Sequence, residues 1–291
     1  MLASWLDARS NGSSERDIPT GGARATQIEA IGITKVFRAV DNSDVIACDG
    51  LDLQVRPGEF VCIVGPSGCG KSTFLSMMAG LEVPTSGTLT IKETPVTAPH
   101  PDVAMVFQEH SLFPWKTVLQ NVAIAQKARG MARTEREERA REIIRMSGLC
   151  GFEHKHPCEL SGGMRQRVGI ARALAAEPDV LLMDEPFGAL DAQTRTLFQE
   201  ELLKIYDQFK KTIVFVTHSV EEAVFLADRV VVMTFRPGRI KTIIDVPIDR
   251  PRSLDVLGYP EFQELRNHVW ETLKQEASQA FEAFGNTGAK A

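Results

Sequence analysis

Phe60-Val61-Cys62-Ile63-Val64-Gly65-Pro66-Ser67-Gly68-Cys69-Gly70-Lys71-Ser72-Thr73 is the stretch of sequence that decides the fold. Its first five residues are all apolar, which is typical of a short strand buried on both faces. Residues 65–73 fit the pattern G-x-x-x-x-G-K-[ST], and a helical pattern follows from Lys71 to Ala79. A strand, a glycine-rich turn and a helix in this order predict a phosphate-binding loop.

The residue types of this loop suit phosphate chemistry. Glycines allow successive backbone N–H groups to turn toward a phosphate, and the helix N-terminus adds positive potential. Lys71 reaches the terminal phosphates and Ser72 can ligate Mg²⁺, whereas Cys69 occupies a variable position with no chemical duty. A glycine-rich turn with a chance lysine is the alternative, and the flanking strand and helix argue against it. We therefore expect the nucleotide to bind at Gly65, Pro66, Ser67, Gly68, Cys69, Gly70, Lys71, Ser72 and Thr73.

A second apolar run, Val180–Met183, ends in Asp184-Glu185-Pro186. Open α/β sheets bind ligands at the carboxyl ends of their strands, so both carboxylates are expected at the phosphate site. Asp184 would orient Mg²⁺, and Glu185 would face the γ-phosphate as the catalytic base for the attacking water. An acidic helix N-terminus after a strand is the alternative interpretation.

Ser161-Gly162-Gly163 opens a helical stretch, Met164–Ala176, a short distance upstream of these carboxylates. A serine and paired glycines at a helix start can form a second anion site. A serine cap on an ordinary helix would look similar.

The flanking segments predict an α/β fold. The apolar run Thr212–Val216 and the helical segment Ala192–Phe209 indicate a parallel sheet with crossover helices. Alternating runs, Ile28–Phe37 and Val45–Val55, predict antiparallel strands. The charged stretch Thr134–Met146 predicts an exposed helix in a peripheral subdomain.

Composition excludes several classes of protein. The net charge of −5 provides no basic field for a phosphate backbone, so nucleic acid is not an expected partner. No apolar run approaches the roughly 20 residues that cross a bilayer, and the N-terminus lacks the features of a secretory signal. The five cysteines show no disulfide framework, so we expect reduced thiols in a cytosolic protein.

Taken together, these motifs resemble those of the ATPase subunits of ATP-binding cassette transporters, over about Ile28 to Val246. The resemblance implies a P-loop NTPase with a RecA-like core, an antiparallel β subdomain and a helical signature subdomain at about 109–176. Residues 1–27 are expected to form a mobile tail because they are polar and glycine-rich. Prolines at 247, 251 and 260 precede a C-terminal helical extension, 247–291, which we expect to be separate.

The resemblance also implies roles for single residues. Gln108 matches the glutamine that senses Mg²⁺, and His218 matches the histidine that contacts the γ-phosphate, although a lone histidine after a strand is more often structural. Asp191 matches the loop that crosses the dimer interface. Ser161, Gly162 and Gly163 match the signature that completes the ATP site of a second subunit. Phe37 matches the aromatic residue that stacks on adenine, the alternative being a core phenylalanine.

The segment Leu112-Phe113-Pro114-Trp115 resembles the nitrate, sulfonate and taurine branch of bacterial importers, as do Arg236-Pro237-Gly238-Arg239-Ile240 and Arg250-Pro251-Arg252. In this branch the segment near Gln108 docks a helix of the membrane subunit, although such an apolar cluster could also be core. The resemblance implies three partners: a second, identical ATPase subunit, transmembrane permease subunits that the chain contacts directly, and a periplasmic binding protein that acts only through the permease. It places the protein peripherally on the cytoplasmic face of the inner membrane. The resemblance does not identify the transported solute, so bicarbonate, cyanate and vitamin precursors stay open as alternatives. A cassette ATPase with no role in transport is also left open.

Cys150, His154, His156 and Cys158 have side chains suited to Zn²⁺. Their spacing fits no standard zinc motif, and the segment coincides with the connector into the signature. We do not expect a metal there.

Overall fold

The structure is a computed structural model that describes residues 26–40, 42–108, 111–188 and 190–287. Of the predicted tail, 1–27, only Thr26 and Gln27 belong to the described residues. The described chain contains two sheets with helices packed against them, a helical subdomain and a C-terminal helix.

The central sheet has six strands in the order β10-β9-β3-β8-β7-β6. Neighbouring strands pair in parallel from β6 to β9, whereas β10 pairs antiparallel at the edge. Strands β3, β7 and β8 are buried at every position, as predicted from their uninterrupted apolar runs. The strands are β3 (Phe60–Val64), β6 (Val103–Val106), β7 (Val180–Asp184), β8 (Thr212–Val216), β9 (Arg229–Met233) and β10 (Ile240–Asp245).

An antiparallel sheet in the order β2-β1-β4-β5 covers one face of the central sheet. Helix α1 (Lys71–Met78) lies between the two sheets and buries Phe74, Leu75 and Met78 against both. The strands are β1 (Ile28–Arg38), β2 (Asp44–Val55), β4 (Ser86–Ile91) and β5 (Thr94–Pro95). The predicted antiparallel pair is confirmed by the β1 and β2 register.

The helical subdomain contains α2 (Val118–Ala128), α3 (Arg133–Met146) and α4 (Gly162–Ala175). It has its own core, which includes Val122, Ile144 and Val168. The sequence pattern predicts α3 and α4, but α2 was not identified. Thr117 caps α2 in a reciprocal pair with Gln120.

The C-terminal extension packs into the main core instead of standing apart. Helix α7 (Pro260–Thr287) buries Phe262 and Val269 in the same cluster as Phe60 and Phe215. That cluster also receives α5 (Ala192–Phe209) and α6 (Val220–Leu226). The buried Arg252 guanidinium donates hydrogen bonds to five carbonyls that surround it, those of Val224, Phe225, Ala227, Val246 and Ile248. Arg252 therefore fastens the start of the extension to the end of α6.

None of the helices in the described part of the chain is long and apolar enough to cross a membrane.

Candidate active site

Four loops meet at the carboxyl edge of the central sheet because their strands run in parallel. Ile63 of β3 pairs with Val216 of β8, and Val216 pairs with Asp184 of β7. The loops that follow these strands therefore begin at the same level. Gln108 follows the adjacent strand β6, which completes the edge.

The phosphate-binding loop is folded around its own lysine. The Lys71 ammonium donates to the carbonyl oxygens of Gly65 and Pro66, each at 2.9 Å, and lies 3.8 Å from the Cys69 sulfur. Helix α1 begins at Lys71, its N-cap residue Gly70 has a left-handed φ of 96°, and no side chain caps the N-terminus. The loop therefore presents an uncapped helix N-terminus and a buried cation to an incoming anion.

Close backbone contacts explain the glycine at position 70. A Cβ atom there would lie 2.7 Å from the Ala47 carbonyl oxygen of β2 and 2.9 Å from the Cys48 sulfur. Cys69 is buried beneath the loop, where desolvation raises the pKa of its thiol. The Cys69 side chain therefore packs in the core as a neutral thiol.

Asp184 and Ser72 face each other across the site. The Ser72 hydroxyl donates to the Asp184 carboxylate at 3.0 Å. Burial raises the pKa of Asp184, and the neighbouring Glu185 charge adds to the increase, whereas the Ser72 hydrogen bond opposes it. A hydroxyl and a carboxylate oxygen in this arrangement are ligands that suit Mg²⁺.

Glu185 is held between two of the predicted site residues. Its Oε2 lies 3.3 Å from the Gln108 side-chain nitrogen and 3.3 Å from His218 Nδ1. Its backbone has a φ of 43°, a left-handed conformation that L-residues seldom adopt and that clusters at functional sites. A hydrogen bond from its N–H to the Val216 carbonyl, at 2.9 Å, supports this conformation.

The signature segment and the Asp191 loop pack together. Ser161 Oγ accepts from the Met164 N–H at 3.3 Å and caps α4, while Asp191 accepts from Thr194 at 3.0 Å and caps α5. A Cβ at Gly163 would lie 3.3 Å from Leu190. The Ser161 hydroxyl thus bonds to its own helix, and the site built around Lys71 is assembled without it.

Known proteins share these motifs and this fold. A family profile described as "ABC transporter" matches residues 48–188. An ABC transporter ATP-binding protein of Methanocaldococcus jannaschii is 49% identical over 250 residues, which cover 86% of this chain and 92% of that protein. The chain belongs to the ABC transporter ATP-binding family. It is an ATPase of the cassette type.

Two curated relatives of this cassette have named cargoes. The bicarbonate transport ATP-binding protein CmpC of Synechocystis is 47% identical over 84% of this chain, and the nitrate import ATP-binding protein NrtC of the same organism is 43% identical over 90%. The cassette spans only 37% and 41% of their respective lengths. Among solved structures, a dimeric post-hydrolysis cassette bound to ADP and Pi is 33% identical, with a TM-score of 0.69 over 76% of this chain and 100% of that one. These findings confirm the predicted fold.

Phe37 of the cassette is a surface residue of β1, opposite Val45 of β2. Its side chain is 39% exposed, and the Lys35 ammonium lies 4.9 Å from the ring centroid. The ring is therefore not part of the core, and the Lys35 ammonium is close enough to attract it electrostatically.

The side chains of Cys150 and Cys158 are exposed free thiols. His156 lies 3.6 Å from the Glu159 carboxylate. Across the ranges that the structure describes, no three His, Cys, Asp or Glu side chains are grouped as a metal site.

Sequence reasoning missed Glu222, which holds the loop that carries His218. Its carboxylate accepts from the Thr217 hydroxyl and, at 2.9 Å, from the Gln199 amide of α5. The Thr217 hydroxyl in turn accepts from the Ser219 N–H at 3.0 Å. Glu222 is only 5% exposed, and burial raises its pKa. The residues on both sides of His218 are thus tied to one buried carboxyl group.

Replacement of Glu222 by Gln should lower the maximal ATPase rate about 10- to 100-fold, because small displacements of catalytic groups have effects of this size. Affinity for ATP should stay within about twofold, since Glu222 does not contact the P-loop. Steady-state kinetics and equilibrium ATP titration measure the two effects. Glu221→Gln, on the exposed side of the same helix turn, is the matched control and should behave as wild type. Equal turnover in both variants would contradict the positioning role.

Proposed function

We propose that this cassette drives a bacterial importer from the cytoplasmic face of the inner membrane, as a peripheral subunit that works in pairs. The observation that carries the proposal is the Glu185 carboxylate between Gln108 and His218, beside the Lys71 loop. Transmembrane permease subunits are the direct partners. A periplasmic binding protein delivers solute to the permease and acts on this subunit only indirectly.

Glu185 is proposed as the catalytic base. Its carboxylate lies at the edge where the γ-phosphate would extend from Lys71, so it can orient a water and accept its proton. Gln108 and His218 both reach the same carboxylate oxygen and would also contact the γ-phosphate. The left-handed backbone of Glu185 aims the side chain at them.

Mg²⁺ fits between Ser72 and Asp184, with Gln108 as a further oxygen donor. The Ser72 hydroxyl and Asp184 carboxylate are 3.0 Å apart, and a divalent cation would offset the electrostatic cost of the buried Asp184 charge beside Glu185. Ser72 and Asp184 would hold the ion, whose positive charge would offset the negative charge of the phosphates.

A second copy of the chain would complete each ATP site. Cassettes of this family dimerise, and here Ser161, Gly162 and Gly163 open α4 with the Ser161 side chain exposed. A helix N-terminus suits the γ-phosphate of the partner subunit's ATP. Asp191, packed next to this segment through Leu190, would cross the interface. Phe37 would stack on adenine.

The variant Glu185→Gln should bind ATP with normal affinity but hydrolyse it about 10² to 10⁴ times more slowly, because the amide cannot accept the proton. With ATP, this variant should sediment as a dimer. Hydrolysis at a near wild-type rate would show that Glu185 is not the base.

Adding Ser161→Arg to Glu185→Gln should abolish the ATP-dependent dimer, because a bulky cation then occupies the place of the partner's γ-phosphate. Ser161→Ala is the comparison variant: it removes the hydroxyl and the cap to Met164 without adding bulk, so it should weaken the ATP-dependent dimer without abolishing it. Sedimentation at equal ATP saturation measures the fraction of dimer formed by each of the two variants. An ATP-dependent dimer in the arginine variant would overturn the interface.

Leu112, Phe113 and Trp115 are proposed to form part of the groove that docks a helix of the membrane partner. Asn121 of α2 is fully buried, accepts from the Phe113 N–H at 2.8 Å and donates to the carbonyls of Phe113, Lys116 and Thr117. The turn is therefore fixed before any partner binds. Trp115 projects from it with 70% of its surface exposed, its ring 5.7 Å from that of Phe113.

Arg172 connects this turn to the signature helix. Its guanidinium donates to the Ser111 carbonyl at 2.8 Å and lies 5.8 Å from the Phe113 ring centroid. Movement of α4 at the γ-phosphate of a partner subunit could thus reach the docking turn through one side chain. This link favours a transport role over a cassette that works without a membrane partner.

The proposed cargo is a small anionic solute such as nitrate, an aliphatic sulfonate or taurine. NrtC supports nitrate, but CmpC matches at slightly higher identity and supports bicarbonate as the first alternative. Cyanate or a vitamin precursor are further alternatives. A non-transport ATPase is a less favoured class, because it offers no use for the ordered turn around Trp115.

Trp115→Ala should impair transport by the reconstituted complex at least about 10-fold, since an aromatic hot spot contributes about 2 kcal/mol or more to an interface. Basal hydrolysis and melting temperature of the isolated subunit should change little, because Trp115 is not buried. Trp270→Ala, at a 54% exposed tryptophan of α7, is the matched control and should transport normally. A large loss of melting temperature without a specific transport defect would support a core role for Trp115 and defeat docking.

A further inference from the structure

Residues 234–239, here called the strap, join β9 to β10 beside the phosphate-binding loop. Thr234 closes the strap on itself. Its hydroxyl donates to the Pro237 carbonyl and accepts from the Arg239 N–H, both at 2.9 Å, and its N–H donates to the Arg239 carbonyl at 2.9 Å. The strap is thus an ordered structure with its own internal hydrogen bonds.

Arg236 of the strap holds the outer side of the phosphate-binding loop. Its Nε donates to the Gly68 carbonyl at 3.0 Å. The next N–H along the loop, that of Cys69, donates to the Pro66 carbonyl at 3.3 Å. Because a peptide unit is planar, these two bonds fix the Gly68–Cys69 peptide at both ends. Gly68 has a φ of 74°, so this turn depends on a left-handed residue.

Gly238 brings the strap against both the loop and the antiparallel sheet. Its N–H donates to the Ala47 carbonyl at 3.1 Å, and its carbonyl accepts from Asp49 at 3.0 Å. A Cβ at Gly238 would lie only 2.0 Å from the Cys69 carbonyl oxygen. Arg239 also pairs with the Asp49 carboxylate. The strap therefore fixes the phosphate-binding loop relative to β2, the strand that pairs with β1, on which Phe37 lies.

Helix α7 holds the strap from the other side. The Glu276 carboxylate accepts from the Phe235 N–H at 3.0 Å and from the Lys241 ammonium at 2.8 Å. Glu276 is 5% exposed, and its carboxylate accepts hydrogen bonds from both the strap and β10. A continuous set of bonds runs from the C-terminal helix through Phe235 and Arg236 to Gly68.

We propose that Arg236 is a positioning residue for the nucleotide site and that Glu276 sets its position, so that the C-terminal helix tunes the affinity for ATP. The proposal rests on the assignment of the phosphate-binding loop as the ATP site. Arg236 keeps the loop in its phosphate-accepting shape in the absence of ligand, which lowers the ordering cost of binding. Neither residue touches the reacting atoms.

The test uses the full chain with Glu185→Gln, so that ATP is bound but not consumed, and titrates it with ATP and Mg²⁺. Arg236→Ala should raise the Kd for ATP about 5- to 20-fold, the range expected for loss of a charge-assisted hydrogen bond. Arg236→Lys should recover much of the affinity, because an ammonium can also donate to the Gly68 carbonyl. In the chain with native Glu185, kcat at saturating ATP should stay within about twofold, since the loss is in binding alone.

Glu276→Gln should weaken ATP binding in the same direction but less, since the amide oxygen can replace only one of its two acceptor contacts. Combined with Arg236→Ala it should add little further loss, because both act through one path. Glu271→Gln, an exposed carboxylate of the same helix, is the matched control and should bind ATP normally.

Each outcome separates this proposal from the function on which it rests. If Lys71→Ala leaves ATP affinity unchanged, the assignment of the ATP site is wrong. If Lys71→Ala abolishes binding but Arg236→Ala does not weaken it, the positioning role alone is overturned. A large drop in the ligand-free melting temperature of Arg236→Ala would also overturn the positioning role. If the effects of Arg236→Ala and Glu276→Gln on the Kd for ATP simply add, the proposed link from α7 to the loop is overturned.

Discussion

The parallel pairing of β3, β8 and β7 is the constraint on which the site depends. It sets Ile63, Val216 and Asp184 at one level, so the three loops that follow start within reach of one another. The strands are buried throughout, and a slip of one residue would turn core side chains to the other face. Hydrophobic packing therefore fixes the relative positions of the Lys71 loop, the carboxylates and His218.

A different set of contacts holds each of these loops in place. The Lys71 loop depends on close backbone contacts at Gly70, the His218 loop on the buried Glu222, and the turn before α2 on Asn121. Rigid loops of this kind preserve their geometry when ligands are absent, which reduces the reorganisation needed at the moment of reaction. Because these loops are rigid, a displacement of the residues at one end of a loop also moves the residues at its other end.

Much of the fold was predictable because its signals are local. The run from Phe60 to Thr73 contains a buried strand, a glycine turn and a helix start in consecutive residues, and α5 was predicted with the bounds that the structure gives. Helix α2 is not among the predicted elements, although Thr117 and Gln120, which cap its first turn reciprocally, are a local signal for its start. The C-terminal extension was expected to be separate because prolines precede it, but the apolar face of α7 completes the main core.

Some residues of the candidate site could likewise be predicted from the sequence, and others could not. Gln108, Asp184, Glu185 and His218 were named from motifs, and the structure brings them together, whereas their roles stay predictions. Glu222 and Glu276 could not be found from sequence, because Glu221 and Glu222 look equivalent until packing buries one of them. Contacts between residues far apart in the chain decide such roles, as with Phe235 and Glu276, 41 positions apart.

A crystal structure of the Glu185→Gln chain with ATP and Mg²⁺ tests the central claim most directly. The account predicts two chains around two ATP molecules, with each γ-phosphate in hydrogen-bond contact with Lys71 and His218 of one chain and Ser161 of the other. Gln108 and residue 185 should lie beside the same phosphate. A nucleotide bound away from the Lys71 loop, or a γ-phosphate enclosed by one chain alone, would contradict it.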